Sequence, residues 1–212
     1  MADFSHYRLE YSKAGLHESE LHSDPIEQFK LWINQALLEK LPEPYAMTLA
    51  TVSPSGQPSA RIVLLRGIHD GCFQFFTNYE SRKGEEIAQN QKAALLFYWA
   101  DMERQVRIEG LITKTSAETS DRYFAQRPRG SQMAAVISAQ SKVIADRRLL
   151  EEKFAQLEKE LDGKTVPRPA TWGGYQLEPE NIEFWQGRPS RLHDRLRYRK
   201  WHNSWIIERL CP

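Results

Sequence analysis

Apolar residues recur at helical spacing in two long segments of the chain. The first segment begins at Asp24, which can cap a helix, with Pro25 in the first turn and Glu27 at the spacing of a capping box. It ends before Pro42, and the second segment spans residues 146–161. Both patterns predict amphipathic helices that pack on a core. Shorter helices are predicted at 82–90, at 115–126 with Thr115 and Glu118 as its capping box, and at 131–137.

Between the helices, short runs rich in β-branched and aromatic residues alternate with turn sequences. Turn residues are clearest at 53–56 and at Asp70-Gly71. The predicted strands are 46–52, 57–66, 72–77, 93–99, 104–115, 175–178, 182–186, 191–198 and 205–209. This distribution favours a mainly β, antiparallel, Greek-key-like fold, a closed or nearly closed barrel with peripheral helices.

The N-terminal residues 1–22 are polar and show no period, which predicts a flexible arm or lid. Residues 23–212 are predicted to form a single domain, a size that suits one hydrophobic core. Because no run approaches the ~18 apolar residues of a membrane span and no apolar signal core is present, we expect a cytoplasmic protein without a membrane partner.

Composition narrows the possible functions. The 29 Lys and Arg residues balance 28 Asp and Glu residues, giving a net charge of +1, which disfavours a globally basic nucleic-acid binder. The two cysteines, Cys72 and Cys211, cannot form a disulfide scaffold, and without a CxxC pair they exclude the common zinc modules. The chain contains no P-loop, GxGxxG, HExxH or GxSxG motif, so we expect no metal site and no serine hydrolase.

Cationic residues in or beside predicted strands are the most informative chemical feature. Arg61 lies inside an apolar run and requires either an ion pair with a nearby Glu or an anionic ligand. Ser81, Arg82 and Lys83 begin a helix, where free N–H groups, a hydroxyl and two cations suit a phosphate. An ordinary capped helix with exposed cations is the alternative.

Tyr123, Arg127 and Ser131 form a second set of donors at spacings of four residues. All three side chains can donate to phosphate oxygens, whereas a helix terminus with a solvent-facing Arg is the simpler interpretation.

A third set lies near the C-terminus. If 191–198 is an extended strand, Arg191, His193 and Arg195 point to the same side of it, where an anionic or electron-rich ligand would relieve their repulsion. Trp185 could stack on a planar ring of that ligand. The alternative is an exposed basic strand that binds RNA.

Taken in order, these segments resemble the pyridoxine (pyridoxamine) 5′-phosphate oxidase family from about residue 8 to residue 212. The resemblance implies a split β-barrel that binds FMN and forms a homodimer with FMN at the subunit interface. It implies oxidation of pyridoxine 5′-phosphate and pyridoxamine 5′-phosphate to pyridoxal 5′-phosphate in vitamin B6 biosynthesis, with O2 reduced to H2O2. The motifs that carry the resemblance are residues 61–66, 76–78, 81–83, 103–107, 127–132, 140–141, 172–174, 182–187 and 191–195.

The resemblance also implies roles for individual residues. Arg191 and His193 are the expected catalytic residues, facing the pyridine ring. The expected FMN contacts are Arg61, Ile62, Val63, Leu64, Leu65, Arg66, Phe76, Thr77, Arg82, Lys83, Gln105, Gln140, Ser141, Trp185 and Arg195. The expected substrate contacts are Arg8, Tyr11, Arg66, Tyr123, Arg127, Ser131, Arg191 and His193. Arg61, Arg82 and Lys83 would hold the FMN phosphate, whereas Tyr123, Arg127 and Ser131 would hold the substrate phosphate.

This chain departs from the family pattern at Arg66, where the family usually has Lys, and at Leu9, where a basic residue often occurs. Arg carries the same charge as Lys but presents a planar fork of donors, so substrate affinity could differ. Two other functions stay open: another split-barrel flavin reductase or oxidase, and an RNA-binding β-barrel.

Overall fold

The computed structural model describes residues 2–7 and 9–212 as a β-sheet surrounded by helices. The strands are β1 Ala46–Val52, β2 Pro58–Leu64, β3 Gly67–His69, β4 Cys72–Asn78, β5 Lys92–Trp99, β6 Arg104–Lys114, β7 Trp172–Gln186, β8 Asp194–Trp201 and β9 Ser204–Arg209. The helices are α1 Pro25–Leu38, α2 Arg82–Gln89, α3 Ala117–Gln126, α4 Arg129–Ile137 and α5 Arg148–Leu161. None of these described helices has the length and apolar character needed to cross a membrane.

The sheet is antiparallel and branches at β7. Its main path runs β2-β1-β5-β6-β7-β4-β3, and β8 joins β7 and carries β9. The first half of β7 pairs with β4, and its second half pairs with β8. On its other edge, β7 pairs with β6 along nearly all of its length. The Arg66 N–H, just after β2, donates to the Gln74 carbonyl of β4 at 2.8 Å, so one end of the path lies beside the strand next to its other end. The predicted antiparallel, nearly closed barrel with outer helices is confirmed.

The barrel core is aromatic, and α1 closes one side of it. Phe29 of α1 is fully buried, and its ring lies 5.0 Å from that of Phe73 and 4.9 Å from that of Phe97. Trp32, one turn later, contacts Phe184 of β7 edge-on at 5.1 Å. The apolar face predicted for this helix therefore packs onto the sheet.

Two helix caps differ from the sequence prediction. Asp24 caps α1 as expected, accepting from the Ile26 N–H at 2.8 Å, but Glu27 pairs with Lys30 instead of completing a capping box. The Asp24 N–H donates to His22 Nδ1 at 3.0 Å, so a neighbouring imidazole replaces the Glu. Helix α3 is capped by Ser116 rather than by Thr115.

Two strand boundaries also differ. The segments predicted at 175–178 and 182–186 form one strand, because Pro179 lies opposite Gly110 at a β-bulge, where the ladder does not need its missing N–H. A side chain on Gly110 would collide with the neighbouring Glu178 carbonyl. The strand predicted at 191–198 begins only at Asp194, since Arg191 has a φ of +62° in a short 3₁₀ turn.

The N-terminal segment contacts the barrel from Tyr11 onward, where the Tyr11 ring lies 5.6 Å from that of Trp185. Leu16 is buried, and its N–H donates to Asp194 at 3.1 Å. Arg209 of β9 pairs with Glu18 at 2.7 Å. The division into an arm (1–22) and a domain (23–212) stays a prediction, although these contacts attach part of the arm to the barrel.

Replacement of Phe29 by Ala should lower the free energy of unfolding by about 3–5 kcal/mol, because it leaves a cavity between the rings of Phe73, Phe97 and Trp99. Leu31→Ala, on the half-exposed side of the same helix, should cost about 1 kcal/mol or less. Urea denaturation of both variants measures the difference. Equal losses would mean that α1 does not anchor the core through Phe29.

Candidate functional site

A cleft of about 340 Å³ opens where β2, β4, α2 and α3 approach one another. Four of the side chains that line it are cationic, and no carboxylate is among the described residues that line it. Its lining residues are Arg61, Ile62, Val63, Leu64, Arg66, Phe76, Thr77, Lys83, Tyr123, Arg127, Gln140 and Trp172. The two phosphate cradles predicted separately from the sequence thus contribute to one cleft, because α3 packs beside β4.

Lys83 lies in the cleft among neutral acceptors. Its Nζ contacts Gln140 Oε1 at 2.8 Å, Thr77 Oγ1 at 3.2 Å and Ser81 Oγ at 3.3 Å. Burial, with a further contribution from the charge of Arg61, lowers the pKa of Lys83 to about 8. The ammonium is therefore charged at neutral pH, and an anionic ligand would compensate it.

Arg61 borders the cleft and also pairs with a glutamate. The sequence predicts either such an ion pair or an anionic ligand for this residue. Its Nη2 lies 3.3 Å from Glu86 Oε2, and its side chain is 20% exposed. Burial opposes ionisation of Glu86, but hydrogen bonds from Ser59, Thr51 and Arg82 outweigh it and lower the pKa of this carboxyl to about 2. Arg82 binds the same carboxylate at 2.9 Å and does not line the cleft.

Arg127 carries an unsatisfied donor. Its guanidinium lies 4.6 Å from the ring centroid of Trp172, and its buried Nη1 has no hydrogen-bond partner among the described residues. Burial lowers the pKa of Arg127, and the nearby charge of Arg66 lowers it further, while Tyr123 opposes this shift. A buried N–H without a partner costs about 1–3 kcal/mol, which an anionic acceptor in the cleft would recover.

Aromatic rings border the same cleft. Tyr123 stacks on Phe76 with ring centroids 3.9 Å apart, and both rings lie nearly parallel to Trp172. Cationic donors beside flat apolar rings suit a ligand with an anionic end and a planar body.

A second group of predicted residues surrounds His193. The ring of His193 lies 4.7 Å from that of Trp185 and 5.7 Å from that of Tyr11. His193 and Arg191 border one cavity of about 960 Å³. The expectation that they share a strand face is wrong, because they precede β8, but the turn directs both toward the same cavity.

His193 has a defined hydrogen-bond polarity. The Arg188 N–H donates to its Nδ1 at 3.1 Å, so the neutral ring carries its proton on Nε2. Burial, together with the charge of Arg191, lowers the pKa of His193 and favours this neutral form. In this tautomer the Nε2–H is the hydrogen-bond donor that His193 retains.

Gln105, Trp185 and Arg195 occupy adjacent positions on β6, β7 and β8. Arg195 donates through Nε to Glu183 at 2.8 Å and through Nη1 to the Cys211 carbonyl at 2.8 Å. This cross-strand row forms one surface with the His193 group through Trp185.

The cleft and the His193 group are far apart within one chain. Trp172 lines the cleft at the first residue of β7, whereas Trp185 stands near its last residue. Thirteen residues of extended strand span roughly 40 Å. The structure therefore assembles two half-sites that do not meet in this chain.

Several predicted residues lie outside both groups. Leu65 is buried in the core, Ser131 is half-buried in the first turn of α4, and Ser141 is exposed in the loop after α4. Arg8 lies outside the described residues.

The sequence prediction missed two residues of this region. It did not assign a site role to Trp172, although the Trp-Gly-Gly motif at 172–174 marked it. It also did not identify Glu86, for which the spacing of four residues from Arg82 was the available signal.

The basic C-terminal strand does not present free cations for RNA. Arg197 and Arg199 both pair with Glu208 of β9, at 2.6 and 3.4 Å. Lys200 pairs with Glu178 at 2.6 Å. These pairings disfavour the RNA-binding alternative.

Comparison with known proteins gives consistent results. Residues 33–160 match the family model described as pyridoxamine 5′-phosphate oxidase, and residues 172–212 match that of the pyridoxine 5′-phosphate oxidase C-terminal dimerisation region. Proteins named pyridoxine/pyridoxamine 5′-phosphate oxidase are 56% identical in Burkholderia lata, over all of both chains, and 53% identical in a Cyanothece strain, over 98% of both.

Two solved structures are similar in fold. PhzG from Burkholderia lata, crystallised with tetrahydrophenazine-1-carboxylic acid, has a TM-score of 0.89 and 32% identity, and the match covers 95% of this chain and all of PhzG. A pyridoxamine 5′-phosphate oxidase-related, FMN binding protein from Nostoc punctiforme has a TM-score of 0.73 at 19% identity, covering 91% of this chain and all of that one. The second likeness concerns the fold alone.

The Lys83 ammonium predicts a pH dependence of anion binding. Because the pKa of Lys83 is lowered to about 8 in the free protein, sulfate affinity should fall by up to about tenfold between pH 7 and pH 9 as the proton is lost. Sulfate keeps its charge across this range, so the protein alone titrates. Calorimetric titration with sulfate measures the change.

Lys83→Met should bind sulfate more weakly at pH 7 and show no such fall. Lys142→Met is the matched control, since Lys142 is an exposed partner of Glu85 outside the cleft. If the sulfate affinity of Lys83→Met still falls between pH 7 and pH 9 as it does in the wild type, another group is responsible for the titration.

Proposed function

Because this chain belongs to the pyridoxamine 5′-phosphate oxidase family, we propose that it is an FMN-dependent oxidase that makes pyridoxal 5′-phosphate. The substrates are pyridoxine 5′-phosphate and pyridoxamine 5′-phosphate, and O2 is reduced to H2O2. The observation that carries the proposal is the cleft itself, in which four cations and stacked aromatic rings face no carboxylate among the described lining residues. A planar, phosphorylated cofactor and a planar, phosphorylated substrate both match that chemistry.

The donor set fits the FMN phosphate at Lys83. Lys83 and Thr77 offer an ammonium and a hydroxyl at one point of the cleft, with Arg61 nearby. These groups are charged or polar and partly withdrawn from water, which strengthens their contacts with an anion. When bound, FMN supplies hydride acceptance from the carbon bearing the alcohol or amine and the reduction of O2.

The substrate phosphate is assigned to Arg127 and Tyr123. Arg127 Nη1 has no partner among the residues that the structure describes, so it can donate to a phosphate oxygen without breaking a hydrogen bond with them. Arg66 lies close enough to influence the pKa of Arg127, so two forked cations can bind one dianion. Fixing the phosphate orients the pyridine ring and turns a bimolecular encounter into a held geometry.

A second copy of the chain would complete the site. The cleft and the His193 group cannot meet within one chain, and Trp185, Arg191, His193 and Arg195 all lie in the segment that matches the dimerisation-region model. In the proposed homodimer, the second half-site of one chain lies against the cleft of the other. Arg195 and Gln105 then reach the flavin ring, and Arg191 and His193 reach the substrate.

His193 is proposed to orient the substrate rather than remove a proton from it. Its Nδ1 accepts from the Arg188 N–H, so Nε2–H is a donor to the pyridine substituents. The proton of the alcohol or amine is then transferred to water. The alcohol gives the aldehyde directly, whereas the amine gives an imine that water hydrolyses to the aldehyde and ammonia.

A second candidate is an oxidase that acts on a carboxylated ring compound. The similarity to PhzG, which was crystallised with tetrahydrophenazine-1-carboxylic acid, favours it. The arginines of the cleft could bind a carboxylate as well as a phosphate. Oxygen consumption with the two phosphorylated B6 vitamers, unphosphorylated pyridoxine and a dihydrophenazine carboxylate distinguishes the candidates.

Arg127→Ala should raise the Michaelis constant for pyridoxine 5′-phosphate about 10- to 150-fold, the loss expected for a charge-assisted hydrogen bond. FMN content, measured by flavin absorbance after denaturation, should stay at one per chain. Arg122→Ala, on the exposed face of α3 and one turn before Arg127, serves as the control and should change neither quantity. Loss of FMN from Arg127→Ala would instead assign this residue to the cofactor.

Mixing two defective chains tests whether the site is shared. Arg127→Ala removes a cleft residue and Arg191→Met removes a residue of the other half-site, so random pairing should restore about one quarter of wild-type kcat/KM. A mixture of Arg127→Ala and Lys83→Met, both in the cleft, should restore none. Absence of rescue in the first mixture would contradict a site built from two chains.

A further inference from the structure

Glu86 stands behind the cleft at the centre of a hydrogen-bond network. It is 4% exposed, on α2, and belongs to no group of the site described above. Its Oε2 accepts from Thr51 Oγ1 at 2.5 Å and Ser59 Oγ at 2.6 Å. Its Oε1 accepts from Arg82 Nε at 2.9 Å. Three elements of the fold, β1, β2 and α2, are thus joined by one carboxylate.

The carboxylate sets the direction of every hydrogen bond in this network. An ionised carboxylate only accepts, so Thr51 and Ser59 must donate their single hydroxyl protons to it. The same hydroxyls are then left as acceptors, and Arg61 donates to both, each at 2.5 Å. With the Leu49 carbonyl at 3.1 Å and Glu86 itself, the terminal N–H groups of Arg61 are all engaged.

We infer that Glu86 is a positioning residue for the phosphate end of the cleft, acting through Thr51 and Ser59 to hold the Arg61 guanidinium. Arg61 keeps its Nε–H and its charge for a ligand, because its other donors are fixed in the protein. This inference rests on the proposed function, in that the ligand phosphate is taken to be that of FMN.

Two effects of the Glu86 charge oppose each other. A negative charge behind the cleft repels a phosphate, whereas an oriented Arg61 attracts it. The repulsion is small because Glu86 is shared between two guanidinium groups, those of Arg61 and Arg82, which offset its field. The positioning effect therefore dominates, and removal of the Glu86 charge should weaken phosphate binding rather than strengthen it.

Glu86→Gln tests the inference because an amide cannot satisfy the network. If its NH2 group faces Thr51 and Ser59, it donates to hydroxyls that already need an acceptor; if it faces Arg82, two donors confront each other. The Kd for FMN should rise about 10- to 100-fold, the range produced at metal sites by loss of an orienting partner. The Kd for riboflavin, which lacks the phosphate, should change less than about threefold.

Flavin fluorescence titration of the flavin-free full-length chain measures both constants. Glu85→Gln is the matched control, since its exposed carboxylate on the same helix pairs with Lys142 and should leave both constants unchanged. Should Glu86→Gln not fold, as judged by circular dichroism, Ser59→Ala decides the question. It retains the carboxylate and removes one link, and it should show the same selective loss of FMN affinity.

Distinct results would overturn the inference. Equal weakening of FMN and riboflavin would make Glu86 a purely structural residue, and tighter FMN binding by Glu86→Gln would mean that repulsion dominates. Wild-type protein that binds riboflavin as tightly as FMN would instead refute the proposed function, and the inference with it. If the wild-type protein binds FMN more tightly than riboflavin, and Glu86→Gln loses affinity for FMN alone, the result supports both the inference and the proposed function.

Discussion

Strand β7 is the constraint on which the arrangement of this protein depends. Fifteen residues long, it satisfies its backbone groups against β6 on one edge and against β4 and then β8 on the other. The sheet therefore branches instead of closing into a simple barrel. Because Trp172 and Trp185 stand near opposite ends of this strand, it also separates the two half-sites, and a proposed function that needs both must use two chains.

Buried carboxylates organise both half-sites in the same way. Glu86 accepts from Arg61 and Arg82, and Glu183, equally buried, accepts from Arg107 and Arg195. Each carboxylate thus holds two guanidinium groups on the protein side of a proposed half-site. The net charge of +1 hides this pattern, because the cations of the cleft are balanced by acidic residues elsewhere in the chain.

Helices and strands that depend on interactions between neighbouring residues could be predicted from the sequence. The boundaries and partners that were not predicted depend on contacts between residues far apart in the sequence. Ser81 caps α2 as predicted, because its hydroxyl needs only the N–H of Gly84 three residues later. The continuity of β7 depends on Gly110, which is distant in sequence and provides the bulge opposite Pro179. In the same way, an anionic partner for Arg61 could be predicted, but its identity could not, because only packing brings α2 beside β2. The expected roles of individual site residues came from the family motifs in their order along the chain, and not from the periodicity of apolar residues.

Within the part of the chain that the structure describes, Arg127 Nη1 has no hydrogen-bond partner, and no carboxylate lines the cleft beside the partly buried Lys83. The cleft is therefore least stable when no ligand fills it. A ligand that binds only the folded chain lowers the free energy of that state by RT ln(1 + [L]/Kd). The fraction of unfolded chains, which are the ones that proteases degrade, therefore falls as ligand concentration rises. At the same rate of synthesis, the amount of the protein in a cell would accordingly fall when its ligand is scarce.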